Sequence, residues 1–190
     1  VGGNHVSNDI AVGLRTPISE AEKIKIKKGS TLPGKVEGEE YIDVLSASGQ
    51  VKNKVSRKSL CKVIQPRSQE MFSLIKKELE EAGSRDLTPA GLVLTGGASL
   101  LEGTPELASR IIDLPVRLGE PDYVNGLSEV IENPVYVQKG NKIPKAIFST
   151  AVGLLEYGLE TPVSNNENQK SKEIVNNFFE KVKKWFNDFF

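Results

Sequence analysis

The chain has 190 residues, enough for one sizeable domain or two small ones. Its 25 basic and 25 acidic side chains cancel, so no field of one sign would draw nucleic acid along its length. The single cysteine, Cys61, excludes an intrachain disulfide and suits a reducing cytoplasm, and the single histidine, His5, cannot build a zinc cluster with it.

The chain opens on Val1-Gly2-Gly3, without Met and without a secretory signal, and reads as part of a longer protein. Ser7 can cap a helix that runs from Asn8 to Leu14. Thr16-Pro17 then supplies an N-cap followed by Pro at the first helical position. This predicts a helix over Ile18–Lys28 that stops at Gly29, with Lys27 and Lys28 complementing its dipole. Glu40 to Leu45 reads as a strand, Ser48-Gly49 as a turn and Gln50 to Ser56 as the returning strand. A short helix near Ser59 to Ile64 follows. Pro66 starts a longer one, with Met71, Phe72, Ile75 and Leu79 at helical spacing, that ends at Gly83.

From Ser84 the grammar is α/β. Gly91 to Thr95 (GLVLT) is a continuous apolar run of the kind found in strands buried on both faces. Gly96-Gly97-Ala98-Ser99 follows, then a helix from Thr104-Pro105 to Ile112 and a short strand at Val116 to Leu118. Residues 119–142 read as irregular, and Pro144 to Tyr157 predicts a mostly apolar, buried helix. There is no internal repeat.

The stretch Thr161 to Glu173 (TPVSNNENQKSKE) has almost no apolar residue and reads as a flexible tether. It leads into Ile174 to Phe190, which holds five of the seven Phe and the only Trp. On a helix, Ile174, Val175, Phe178, Phe179, Val182, Trp185, Phe186, Phe189 and Phe190 fall on one arc of roughly 160°. Every polar residue, including Lys181, Lys183 and Lys184, falls on the other. A bulky aromatic face edged with lysine fits a membrane interface. The same pattern serves a helix packed on its own core or in a partner's groove. If each of the nine residues gained a third of a full burial, the sum would be about 5–9 kcal/mol before ordering costs, enough for reversible anchoring. Lys, Glu and Asp interrupt any run long enough to span the hydrocarbon.

The glycine pair after the strand, within Leu92 to Gly103 (LVLTGGASLLEG), lets a ligand approach the backbone, and a helix start beyond it favours a phosphate or ribose oxygen. It is neither a Walker loop nor a dinucleotide fingerprint, and an ordinary strand–helix turn would look the same. The run Leu94 to Gly103 resembles the adenosine motif of the actin-like ATPase superfamily. Within that superfamily the chain resembles the FtsA family of bacterial cell division proteins. The supporting stretches are Val1 to Ala11 (VGGNHVSNDIA), Gly13 to Pro17 (GLRTP), Ala21 to Lys25 (AEKIK), Val63 to Arg67 (VIQPR) and Ser149 to Gly158 (STAVGLLEYG), together with the terminal helix.

The resemblance implies the second half of an actin-like (ribonuclease-H-like) α/β fold. Its large subdomain would comprise residues 1–30 and 83–160, and a small inserted α+β subdomain residues 31–82. A linker over 161–173 and a membrane-targeting amphipathic helix over 174–190 would follow. It implies that Gly96, Gly97 and Ala98 support the adenosine of ATP and that Glu22 and Lys25 approach adenine and ribose from the other side. Read as residues alone, Glu22 and Lys25 are equally a solvated ion pair one turn apart. The hairpins that hold phosphates and magnesium in such proteins lie upstream of Val1, so this part alone is expected to bind nucleotide poorly and not to be catalytic. The small subdomain is implied to receive the acidic and apolar carboxy-terminal tail of FtsZ. Candidates are Arg57, Lys58 and Arg67, with Leu60 and Ile64 as an apolar floor; equally, Leu60 and Ile64 are core and the basic face is solvated.

The function so implied is an adaptor that tethers the FtsZ ring to an anionic membrane surface at the division septum, on the cytoplasmic face of the inner membrane. ATP would be bound, and the protein would self-associate into actin-like filaments and meet other divisome proteins. The alternative is a fragment of an actin-superfamily kinase or chaperone-type ATPase. A kinase needs a carboxylate beside the transferred phosphate, and no residue is evidently placed for it.

Overall fold

The computed structural model describes residues 2–47, 52–83, 88–121 and 144–160. The chain divides into two compact units, Val1–Glu120 and Pro121–Phe190. The first is a mixed α/β assembly with two small sheets.

Helix α1 (Gly3–Leu14) starts earlier than the Ser7 cap predicts, with Gly2 as its N-cap. Ser7 lies inside the helix and is buried, its hydroxyl bonded to side chains of the next helix, so it cannot cap. Arg15 closes α1 in the left-handed conformation, and Thr16 returns its N–H to Ala11 O. Helix α2 (Ile18–Lys28) ends where the sequence predicts, but its N-cap is Pro17 and no side chain caps it. Thr16 Oγ1 is instead buried without a hydrogen-bond partner.

Strands β1 (Tyr41–Leu45) and β2 (Lys52–Ser56) form an antiparallel hairpin, in register from Tyr41↔Ser56 to Leu45↔Lys52. Ile42 and Val44 turn inward while Tyr41 and Asp43 face out, the two-residue period of a half-buried sheet. A lone hairpin is marginal in water, and this one is held by packing its inner face on α1, α2 and α3.

Helix α3 (Arg57–Glu81) is continuous, where two helices are expected. Ser56 Oγ caps it by accepting from Ser59 N at 3.2 Å, and Pro66 sits in its interior. An interior proline costs about 3 kcal/mol or more through a lost bond and a ring clash. Packing on either side offsets this: Leu60 and Ile64 precede it in a first core, Phe72 follows it in a second, and each buried side chain gains about 1.5–3 kcal/mol.

The first core joins Val6, Ile10, Ala21, Ile24, Ile42, Val44, Leu60 and Ile64. The second joins Leu32, Phe72, Leu107, Ala108 and Ile112, with Leu92, Leu94 and Val116 packed against it. Strands β3 (Leu92–Leu94) and β4 (Val116–Leu118) pair in parallel, joined through helix α4 (Thr104–Ile112). The expectation that β3 is buried on both faces is not met, because only one face packs on α3 and α4 and Val93 stays 47% exposed. At Gly91, φ is +82° and an added Cβ would stand 2.0 Å from Pro115 O, so only glycine allows β4 to come this close.

Of the second unit, a 3-10 turn at Lys145–Phe148 leads into α5 (Ser149–Glu160). Ala146 and Val152 are buried, but Leu154 and Tyr157 are exposed, so this apolar helix is not buried all round. The tether at 161–173 and the amphipathic segment at 174–190 lie outside the described residues, as does the turn at Ser48-Gly49. Among the described residues no helix is long and apolar enough to cross a membrane.

Candidate functional site

The glycine turn sits where β3 ends. Gly96 has φ +87° and ψ 165°, a region open essentially to glycine alone, and a Cβ there would meet nothing within 4 Å. Gly97 opens a 3-10 turn, Gly97–Leu100. Ser99 is buried and pins the turn by donating its hydroxyl (2.6 Å) and its backbone N–H (3.2 Å) to Gly96 O.

Two other elements converge on this turn. At Gly3, in the first turn of α1, an added Cβ would stand 3.1 Å from Ala98 Cβ and 3.6 Å from Lys25 Nζ. The start of α1, the turn and α2 are therefore in contact. Lys25 is nearly enclosed, with 8% of its side chain exposed. Its Nζ donates to Glu22 Oε2 at 2.6 Å, Ser7 Oγ at 2.9 Å and Gly3 O at 3.2 Å. An ammonium has three protons, and these three acceptors account for them. Lys25 is thus a positioning residue that binds the start of α1 to α2. Glu22 also accepts from the Ser7 hydroxyl and keeps 41% of its side chain exposed. The structure links Glu22 and Lys25 directly and brings Lys25 and Ala98 to either side of Gly3, with Ser7 joining the Glu22–Lys25 pair. The Ser7 contribution was hidden because its spacing reads as a cap.

Ser7 and Lys25 stand at the distance of a nucleophile and its base, but the pair is not arranged for attack. The amine is held by a carboxylate, and the hydroxyl is buried.

The far end of the glycine loop is clamped. Glu102 O accepts from Thr31 N (2.8 Å), Thr31 Oγ1 (3.2 Å) and Ser30 Oγ (3.3 Å). Its carboxylate binds Arg57 NH2. Arg57 also donates from Nε to Lys28 O at 2.9 Å and from NH1 to Glu40 Oε2 at 3.3 Å, and its backbone N–H binds Glu40 O at 2.7 Å. Burial works against the charge of this guanidinium, and Glu102 and Glu40 more than offset it, raising its pKa. Burial pushes the thiol of neighbouring Cys61 up, as befits a small core residue.

The candidate partner face on α3 differs from one of its two expected forms. Leu60 and Ile64 are fully buried in the first core, so they are not a floor open to a peptide; the core reading is the one the structure shows. Arg57 is tied up in the clamp. Arg67 grips Asp9 through Nε (2.6 Å) and NH2 (3.1 Å) and reaches Glu70 through NH1 (2.5 Å). The Arg67 hydrogen bonds hold the Asp9 carboxyl below its usual range. Lys58 is exposed. A cavity of about 450 Å³ that periodicity could not reveal lies between α2 and β1, lined by Lys23, Ile24, Lys27, Tyr41 and Asp43 among others. Its position depends on how α2 meets the hairpin. His5 accepts from Gly2 N at 3.3 Å through Nδ1, a local structural bond. Among the described residues no cluster of His, Cys, Asp and Glu could hold a metal ion.

The chain resembles known proteins along its length. The family model for Cell division protein FtsA matches residues 1–153. The Cell division protein FtsA of Pseudomonas aeruginosa is 44% identical over 160 residues, covering 84% of this chain and 36% of that protein. Those of Escherichia coli K12 and Neisseria meningitidis are each 34% identical, covering 96% and 100% of this chain and 43% and 44% of theirs. The chain thus spans about two fifths of the length of these relatives, a family whose fold is actin-like. On the match over residues 1–153 and these identities, the chain belongs to the FtsA family of cell division proteins.

Proposed function

We propose that this chain is the part of a division-ring adaptor that carries one wall of an ATP cleft and the membrane tether. The observation that carries the reading is the convergence of Gly3, Ala98, Lys25 and Glu22 beside an open Gly96. The residues fit a nucleoside. Gly96 leaves room for a ligand against the backbone, the start of α1 favours negative charge, and Glu22 offers a partly exposed carboxylate to a ribose hydroxyl. Lys25 holds Glu22 and the α1 backbone in place for that contact. Gly97 and Ala98 complete the turn. Among the described residues no cluster of His, Cys, Asp and Glu could hold a metal ion by itself, so a magnesium accompanying ATP would draw on the phosphates and on the rest of the full-length protein. ATP here serves as a conformational ligand.

The tether is the segment 174–190, supported by its unbroken apolar arc of Phe178, Phe179, Val182, Trp185, Phe186, Phe189 and Phe190 and by Lys181, Lys183 and Lys184 beside it. The partner is the FtsZ tail; of the three cations nominated on α3, Arg57 is taken up in the clamp, while Lys58 is exposed and Arg67 keeps 29% of its side chain exposed to receive it. Family membership supports self-association and a place at the septum. Flotation of the full-length protein with anionic vesicles tests the tether. The protein should float, and Trp185→Glu with Phe186→Glu should stay in solution. Equal flotation of both would remove the segment as the anchor.

A further inference from the structure

Arg57 is the first residue of α3, yet its guanidinium bonds reach three other segments. One bond goes to the last residue of α2, one to Glu40 at the entry to the β1–β2 hairpin, and one to Glu102 at the exit of the glycine loop. The side chain is 20% exposed, so a lost partner is poorly replaced by water. Neither end of this link is loose. The Glu102 carbonyl is held by Ser30 and Thr31, and Glu40 is bonded to Lys28 and to the backbone of Arg57. Packing follows the same line: a Cβ on Gly29 would stand 2.9 Å from Leu101 Cδ1 and 3.0 Å from Ile64 Cδ1. The glycine loop and the first core therefore meet with no slack.

We propose that Arg57 couples the loop Gly96–Glu102 to the β1–β2 hairpin, so that order in either segment favours order in the other. The coupling is a property of the contacts and does not depend on what binds the loop. Where the loop takes a nucleotide and the hairpin side takes a partner, each ligand would change the other's affinity by the same factor, as linkage requires.

Hydrogen exchange on the full-length protein without nucleotide tests this and leaves the nucleotide reading untouched. Glu102→Gln cuts the link at the loop, and exchange should rise across the distant strands 41–45 and 52–56. Glu40→Gln cuts it at the hairpin, and exchange should rise across 97–101. Each remote rise should be about two- to fivefold, the range for one partly exposed ion pair. Residues 107–112 of α4 should not change. In an Arg57→Met background both remote effects should vanish, a result that a merely local structural role would not produce. Changes confined to the mutated side, or remote changes that persist without Arg57, would overturn the proposal. If Arg57→Met does not fold, the two glutamate variants decide alone.

Discussion

Helix α3 serves two cores, and their rims differ. The first core, around Leu60 and Ile64, is bordered by polar networks. Lys25 joins Ser7 and Glu22, Arg57 joins Glu40 and Glu102, and Arg67 joins Asp9. The second core, around Phe72, Leu107 and Ile112, is an apolar layer between helices and one sheet face, and the ion pairs on its rim, Lys35 and Arg110 with Glu106, rest on exposed cations. Among the described residues the one charged side chain that is buried, Lys25, belongs to the helices of the first core. A buried charge is tolerated only where its partners are fixed, and fixed polar partners are what ligand recognition requires. The second core supports β3 and so the strand end that carries the glycine turn, while the first also holds the buried charge beside that turn.

This contrast can be broken by mutation. Phe72→Ala should have the largest effect, about 3–5 kcal/mol of unfolding free energy by urea titration, while the protein still folded captures nucleotide normally. A loss of nucleotide capture beyond the unfolded fraction would erase the distinction between the cores. Lys25→Met removes charge-assisted bonds and should cost about 1–3 kcal/mol, at the lower end because water reaches Glu22. Unlike Phe72→Ala, it should weaken nucleotide capture in fully folded protein. Gly96→Ala places a side chain at φ +87° and should cost about 1–3 kcal/mol, with a larger relative loss of binding because the Cβ enters the open space. Asp9→Asn should be smallest, below about 1 kcal/mol at neutral pH. The folded Asp9 pKa lies below its unfolded value, so its contribution is complete above about pH 4 and lost as pH falls through the folded pKa. The gap between wild type and Asp9→Asn in thermal melts should therefore close in acid.

Much of the fold was legible where one local rule governs. The end of α2 at Gly29, the hairpin strands and α4 after Thr104-Pro105 follow from caps, alternation and turn residues. Rules in competition were not legible. Pro66 signals a helix start, but two cores hold α3 straight through it. Ser7 signals a cap, but Lys25 and Glu22 claim its hydroxyl. Leu60 and Ile64 lie beside basic residues in sequence and read as core or floor alike until α1 and the hairpin are seen to cover them. On the site side, the glycine pair and the Glu22–Lys25 spacing are visible in the sequence, but spacing alone left each with an ordinary structural reading, and only the family resemblance offered a role. The role of Arg57 could not be read, because its partners lie 17, 29 and 45 positions away.

We propose that Glu22, held by Lys25 beside the glycine turn, receives the ribose of a nucleotide. The most direct measurement compares ATP with 2′,3′-dideoxy-ATP on full-length wild-type protein and on Glu22→Ala by equilibrium binding. Wild type should prefer ATP by about tenfold, the value of one charge-assisted hydrogen bond, and Glu22→Ala should bind both alike. Equal discrimination by the two proteins would remove Glu22 from the ribose.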